Sequence, residues 1–157
     1  LVGNLDESWN AELGGRLSAL TIVQDQVYVA QIDQHTLHAL SSVSGRKRWK
    51  FTAGARIDSP PTYWKGRLVF GSADGSVYCL RARDGALIWK FRAAPVDRRL
   101  MAFEQIESVW PVHGTVLVED GIASFVVGRS TFLDHGLRYI QLDVKTGEKL
   151  MSKRRRS

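Results

Sequence analysis

Cysteine is all but missing from this sequence: Cys79 is the only one in 157 residues. A single thiol closes no internal disulfide, and no Cys/His zinc pattern can be built around it. Cys79 lies in an apolar run, Val77-Tyr78-Cys79-Leu80, and reads as a small buried hydrophobe. Long hydrophobic runs are missing too. None approaches the ~20 residues of a membrane-spanning helix, so no transmembrane segment is expected. The chain starts at Leu1 with no basic stretch leading into an apolar one. No signal peptide is therefore expected in it, and it reads as a mature product or a fragment. Phosphate-binding loops of the G-x-G-x-x-G and G-x-x-x-x-G-K-[ST] kinds do not occur; Gly14-Gly15 needs no ligand to explain it. Ser72, Ser108 and Ser130 lack the context of a nucleophile elbow. No window holds apolar residues at helical spacing over three turns. The most helix-tolerant stretch, Leu100 to Val109, is expected to hold one short turn.

What the chain does have is ordinary globular composition, 44% hydrophobic and 24% charged, with a net charge of +6. Four of the positive charges stand together at Lys153, Arg154, Arg155 and Arg156. No aromatic residue interleaves with them, so no platform for stacking bases is present, and no nucleic-acid partner is expected. The run reads as a solvated basic tail, residues 153–157.

The strongest signal is a period. Trp9, Trp49 and Trp89 follow one another at 40 residues; Gly14/Gly54, Arg16/Arg56, Leu40/Leu80 and Gly45/Gly85 keep the same offset. Ser44-Gly45 leading to Arg48-Trp49-Lys50-Phe51 matches Asp84-Gly85 leading to Ile88-Trp89-Lys90-Phe91. A third copy runs from Tyr139 through Thr146-Gly147 to Met151, which stands where the tryptophan would be. Gly147 follows Gly85 by 62 residues, so this copy carries 22 residues beyond the period, spread over its connections.

Turn chemistry punctuates each copy. Asp74-Gly75, Asp84-Gly85 and Thr146-Gly147 separate short runs rich in β-branched and aromatic residues, while Lys65-Gly66 and Asp120-Gly121 precede the second run of their copies. Each copy reads as four short antiparallel strands in up-and-down order. Such a sheet, apolar on both faces, is stable only when stacked on its neighbours, which is the β-propeller solution. The fold expected is all-β: a partial propeller over residues 1–152, with blade repeats at about 10–50, 51–91 and 92–151 and a preceding strand at 1–9. A tryptophan wedged between sheets buries about 200 Å², which is about 5 kcal/mol at most.

The pattern Leu80…Gly85…Trp89-Lys90-Phe91 resembles the tryptophan docking motif of the quinoprotein alcohol dehydrogenase-like (PQQ-like) propeller repeats, in which the indole packs between blades. The Trp-Asp and Gly-His dipeptides of WD40 repeats are lacking. The resemblance covers about residues 9–150 and assigns structural docking to Trp9, Trp49, Trp89, Gly45, Gly85 and Gly147. Relatives have seven or eight blades, so the implied partners are the remaining blades of a parent propeller. The relatives are bacterial, periplasmic or extracellular, and include PQQ-dependent dehydrogenases and the lipoprotein propeller of the outer-membrane assembly machine. The docking motif itself brings no cofactor with it.

No catalytic, cofactor-binding or metal residue is expected. PQQ and Ca²⁺ are implied only for an intact enzyme relative, because no acidic cluster of calcium-binding type occurs. His35 and His38 have no third ligand in register. Function concentrates in long loops on a rigid scaffold, so the candidate ligand or partner loop is drawn from the long copy: Asp97, Arg98, Arg99, Glu104, Glu107, His113, Arg129 and Asp134, with His135 beside them. These residues could bind an anionic ligand or a peptide. Equally, Arg98 and Arg99 could pair with Glu104 and Glu107 and pin the loop. The reading is a non-catalytic module that binds a protein or polymer within a larger protein. Its alternative is a part of a PQQ-dependent dehydrogenase whose active site is completed elsewhere.

Overall fold

The computed structural model describes residues 8–95, 97–102, 104–131 and 136–155. Three four-stranded antiparallel sheets follow one another along the chain. The first holds β1 (Thr21–Val23), β2 (Gln26–Gln31), β3 (Thr36–Ser41) and β4 (Lys47–Thr52). The second holds β5 (Thr62–Trp64), β6 (Arg67–Gly71), β7 (Ser76–Arg81) and β8 (Leu87–Arg92). A two-stranded hairpin, β9 (Arg99–Ala102) and β10 (Gln105–Ser108), comes next. The third sheet holds β11 (Leu117–Glu119), β12 (Ile122–Val127), β13 (Leu137–Asp143) and β14 (Lys149–Arg155). The fold is all-β, three stacked sheets of a partial propeller.

Turn residues set these boundaries. Lys65-Gly66 and Asp120-Gly121 both take positive φ at the two positions that join the first strand of a sheet to its second. That is the backbone a tight hairpin of matching twist demands. In every sheet this turn is tied to the one between the third and fourth strands: Ser42, Ala82 and Val144 donate their N–H groups to Asp25, Gly66 and Gly121, at 2.8, 2.9 and 2.9 Å.

Side chains alternate across each strand, so every sheet has two faces to bury. Leu68 and Phe70 of β6 pack with Tyr28, Leu37 and Ala39 of the first sheet. Val69, between them in sequence, packs with Phe125 and Leu142 of the third. The first strands β1, β5 and β11 stand beside one another. There Thr21 donates its hydroxyl to the Pro61 carbonyl at 2.6 Å, and Thr62 makes the same bond to the Val116 carbonyl.

Two expectations need correction. Leu100 to Val109 holds no helical turn but lies largely in the β9–β10 hairpin, with Glu104 in the left-handed region at its tip; cross-strand pairing of Leu100 with Glu107 and Met101 with Ile106 satisfies that backbone instead. The one helical element among the described residues is a short 3-10 turn, Ile32–Gln34. Lys153, Arg154 and Arg155 of the basic tail are not frayed: they pair with Tyr139, Arg138 and Leu137 as the end of β14. Residues 1–7 of the preceding strand lie outside the described residues, and Ser8 and Trp9 are in no strand.

Candidate functional site: sheet seams and the hairpin over the first two sheets

The three periodic tryptophans make one contact three times. Trp9, Trp49 and Trp89 donate their indole N–H to the carbonyls of Ser42, Ala82 and Val144, at 2.7, 3.0 and 2.8 Å. Each acceptor lies three residues before Gly45, Gly85 or Gly147, and the indole lies flat against that glycine. A Cβ built on Gly85 or Gly147 would fall 2.5 or 2.7 Å from the ring, and one on Gly45 would also overlap it. All three glycines have φ between +70° and +74°, a backbone that side-chain-bearing residues avoid. Trp49 stands opposite Ala39, and Trp89 opposite Cys79, with a register shift just after each partner. Met151 stands opposite Gln141 with the same shift, so the bulge persists in the third sheet without its indole. Trp64 adds a further seam contact, 3.3 Å from a Cβ position on Gly121 of the third sheet.

The hairpin gathers most of the remaining candidates. Its base sits on the turn between β6 and β7: Ser108 and Val112 donate to the carbonyls of Ala73 and Ser72, at 2.8 and 3.1 Å. Its far end reaches the first sheet, where the Gln105 amide oxygen lies 2.8 Å from His35 Nε2 and its nitrogen donates to the Asp33 carbonyl at 3.3 Å. Between these anchors lies Glu107, 1% exposed. Arg56 Nε bonds one of its oxygens, and Arg129 Nη2 the other at 2.8 Å. A buried carboxylate held by two guanidiniums has its charge met on both oxygens.

Glu107 is thus pinned, but not by Arg98 or Arg99. Neighbours along β9 alternate faces, and Glu107 stands opposite Leu100 while Arg99 stands opposite Ser108. Arg99 instead pairs with Asp97 at 3.1 Å, both exposed. Arg98 accepts the Val109 N–H on its carbonyl, and Glu104 is exposed at the hairpin tip. Arg129 joins the cluster. His113 does not: its Nδ1 lies 2.6 Å from Asp58, whose other oxygen accepts the Gly114 N–H at 3.3 Å. Burial alone would raise the Asp58 pKa. The hydrogen bond and charge of His113, with Gly114 and Ser59, more than offset this and leave it below the ordinary carboxylate value. Asp134 and His135 lie outside the described residues.

Arg56 and Asp58 were not singled out as site residues. For Arg56 a signal existed: it holds the 40-residue offset from Arg16. Arg16 and Arg56 accept, on their carbonyls, the N–H of Ile32 and Ala73, each in the turn between the second and third strands. Arg16 reaches Asp33 of that same turn, in the open, at 2.6 Å. Arg56, from the equivalent place, reaches Glu107 of the inserted hairpin, where no period points. His35 and His38 stay apart in role: His35 is left-handed at the 3-10 turn's end, and His38 is buried, 3.0 Å from the Gln31 amide. Burial, then Lys47 and Lys50, push the His38 pKa down.

No group of three His, Cys, Asp or Glu is placed to hold a metal among the described residues. Glu107, the one fully buried carboxylate among the described residues, is already taken by two arginines.

Comparison with known proteins agrees with this geometry. A quinone-dependent alcohol dehydrogenase subunit from Gluconobacter oxydans is 25% identical over 141 residues, 79% of this chain and 18% of that protein. Its counterpart from Komagataeibacter europaeus is 24% identical over 112 residues, 63% of this chain and 15% of that protein. The chain therefore spans less than a fifth of these relatives. A europium-containing methanol dehydrogenase superposes with a TM-score of 0.71 at 18% identity, over 89% of this chain and 25% of that one. BamB from Moraxella catarrhalis does so with 0.63 at 19% identity, over 88% and 40%. The model of the PQQ-like repeat family described as outer membrane protein assembly factor BamB matches residues 4–157. With its indole-on-glycine seams and stacked four-stranded sheets, the chain belongs to that family.

Proposed function

We propose that this chain is a non-catalytic binding module whose three four-stranded sheets, the last ending with β14 at Arg155, are consecutive blades of a larger propeller. The observation that carries the reading is the state of Glu107. Glu107, the one fully buried carboxylate among the described residues, is held by Arg56 and Arg129, so it serves to pin the hairpin and is not free to act as a base. The hairpin then gives a mixed surface over the first two sheets, with Asp97, Arg98, Arg99 and Glu104 in the open beside the exposed pair Met101 and Ile106, for a protein or polymer ligand.

The second reading, blades of a PQQ-dependent dehydrogenase completed elsewhere, is favoured by the quinone-dependent relatives. The test is made on the longer parent protein. Purified parent is loaded with PQQ and Ca²⁺, and dye reduction is followed with alcohols and sugars. No bound quinone and no turnover are expected. Quinone absorbance that survives desalting, with turnover, would overturn the module reading.

A further inference from the structure

The first two sheets treat one repeated position differently. In the first, Thr36 stands opposite Thr52. The Thr36 hydroxyl donates to the Gln34 carbonyl at 2.8 Å and lies 3.2 Å from the Thr52 hydroxyl, so it is satisfied within its own sheet. At the same places in the second sheet, Ser76 stands opposite Arg92. Ser76 is 3% exposed, and among the described residues its hydroxyl has no hydrogen-bond partner. A buried hydroxyl left in that state is costly.

A pocket of about 320 Å³ opens over Ser76. Gly54, beyond the end of β4, forms one wall; Lys90 and Arg92 of β8 form another; Asp97 and Arg99 stand at the base of the hairpin. These walls come from two sheets already in contact, so the pocket belongs to a seam and is not a face awaiting another sheet. Its carboxylates are engaged. Asp97 pairs with Arg99 at 3.1 Å. One oxygen of Asp74 accepts the Ser76 N–H at 2.8 Å, the other accepts the Tyr78 hydroxyl, and Lys90 stands 4.0 Å away. Arg92 is exposed and, among the described residues, makes no ion pair or hydrogen bond. A guanidinium with unused donors thus shares a pocket with a buried, unused hydroxyl.

We propose that this pocket binds an oxyanion, the carboxylate or phosphate group of a small ligand, with Arg92 and Lys90 supplying the charge and Ser76 donating its hydroxyl. The planar fork of a guanidinium matches the paired oxygens of either group, and an acceptor is what Ser76 lacks. The volume leaves room for the body that carries the anion. The site goes beyond the binding-module reading and holds under either reading of the parent, since none of its residues takes part in quinone chemistry.

The longer parent protein is titrated with inorganic phosphate and, separately, with succinate, by calorimetry at low salt. Saturable binding is expected, and the tighter of the two names the group. Arg92→Thr copies the first sheet and gives Ser76 the partner that Thr36 has. It is expected to weaken binding about tenfold and to leave the urea midpoint unchanged. Ser76→Ala is expected to weaken binding about threefold. Arg98→Gln removes an exposed cation just outside the pocket and is expected to keep affinity within about twofold. Heats that saturate with neither anion would overturn the proposal, as would equal losses in Arg92→Thr and Arg98→Gln. Quinone bound to the parent would overturn the module reading and leave this site standing.

Discussion

The indole N–H of Trp49 and the hydroxyl of Tyr28 converge on one carbonyl, that of Ala82 in the next sheet, at 3.0 and 3.3 Å. The Trp49 ring meanwhile covers Gly85, three residues on. A seam between sheets is thus fixed by one acceptor and one missing side chain.

Gly85→Ala tests the missing side chain. Its Cβ would meet the ring at 2.5 Å in a backbone with φ +74°. Overpacking and left-handed strain together cost about 2–4 kcal/mol. Gly66→Ala has the strain, φ +79°, but open space around it, and is expected to cost about 1–2 kcal/mol. Urea unfolding of the two variants measures the difference.

Glu107→Ala strands two guanidiniums around an emptied site. The expected loss is about 3–5 kcal/mol. Arg129→Met, whose side chain is 26% exposed, is expected to cost less, because water reaches what remains. Limited proteolysis should show the hairpin cut first in both.

Alkali should weaken the first seam through Tyr28. Burial, and the nearby Tyr63, raise its pKa to about 12. The folded value lies above the ordinary tyrosine value, so the associated stability is complete below pH ~10 and is lost as pH rises towards 12. Denaturation midpoints across that window should fall for the unsubstituted chain and fall less steeply for Tyr28→Phe, since the buried Tyr78 and Cys79, also raised, keep part of the dependence.

Acid acts through Asp58 in the opposite sense. Its folded pKa is lowered, so the associated stability is present above the ordinary carboxylate value and is lost as pH falls through the lowered one. Asp58→Asn should remove part of the stability loss below pH ~4, measured by urea midpoints at fixed ionic strength.

Cys79 reports on the second seam. Burial pushes its thiol up to about 11, against a smaller opposing effect of Arg67. Reaction with a disulfide reagent at pH 8 should be slow in the folded chain and rise sharply in urea. Trp89→Ala, which strips the residue opposite Cys79, should speed it without denaturant.

The seams were legible in the sequence because each needs two residue types that little else replaces: an indole, and a glycine at positive φ. Both recur at one interval, so the residue types are picked out by their period, whereas the contact of Trp49 with Gly85 of the next sheet is read from the structure. The hairpin was not legible. Its ten or so extra residues have no second copy to be compared with. Glu107 finds its partners 51 residues before it and 22 after it, while Arg98 and Arg99, close by in sequence, are carried elsewhere by strand alternation. Lys153 to Arg155 read as a solvated tail because charge runs at chain ends commonly are. Their pairing with Leu137 to Tyr139 is a long-range fact that composition does not contain.

The reach of Gln105 to His35, 70 residues back along the chain, bears on how the stack comes apart. Tandem repeats that touch only their neighbours can unzip from either end, one unit at a time. A strap grown from beyond the second unit and fastened to the first removes that freedom. The first unit cannot peel away alone while the strap holds, so the two are bound to melt as one block, and cutting the strap would give each its own transition.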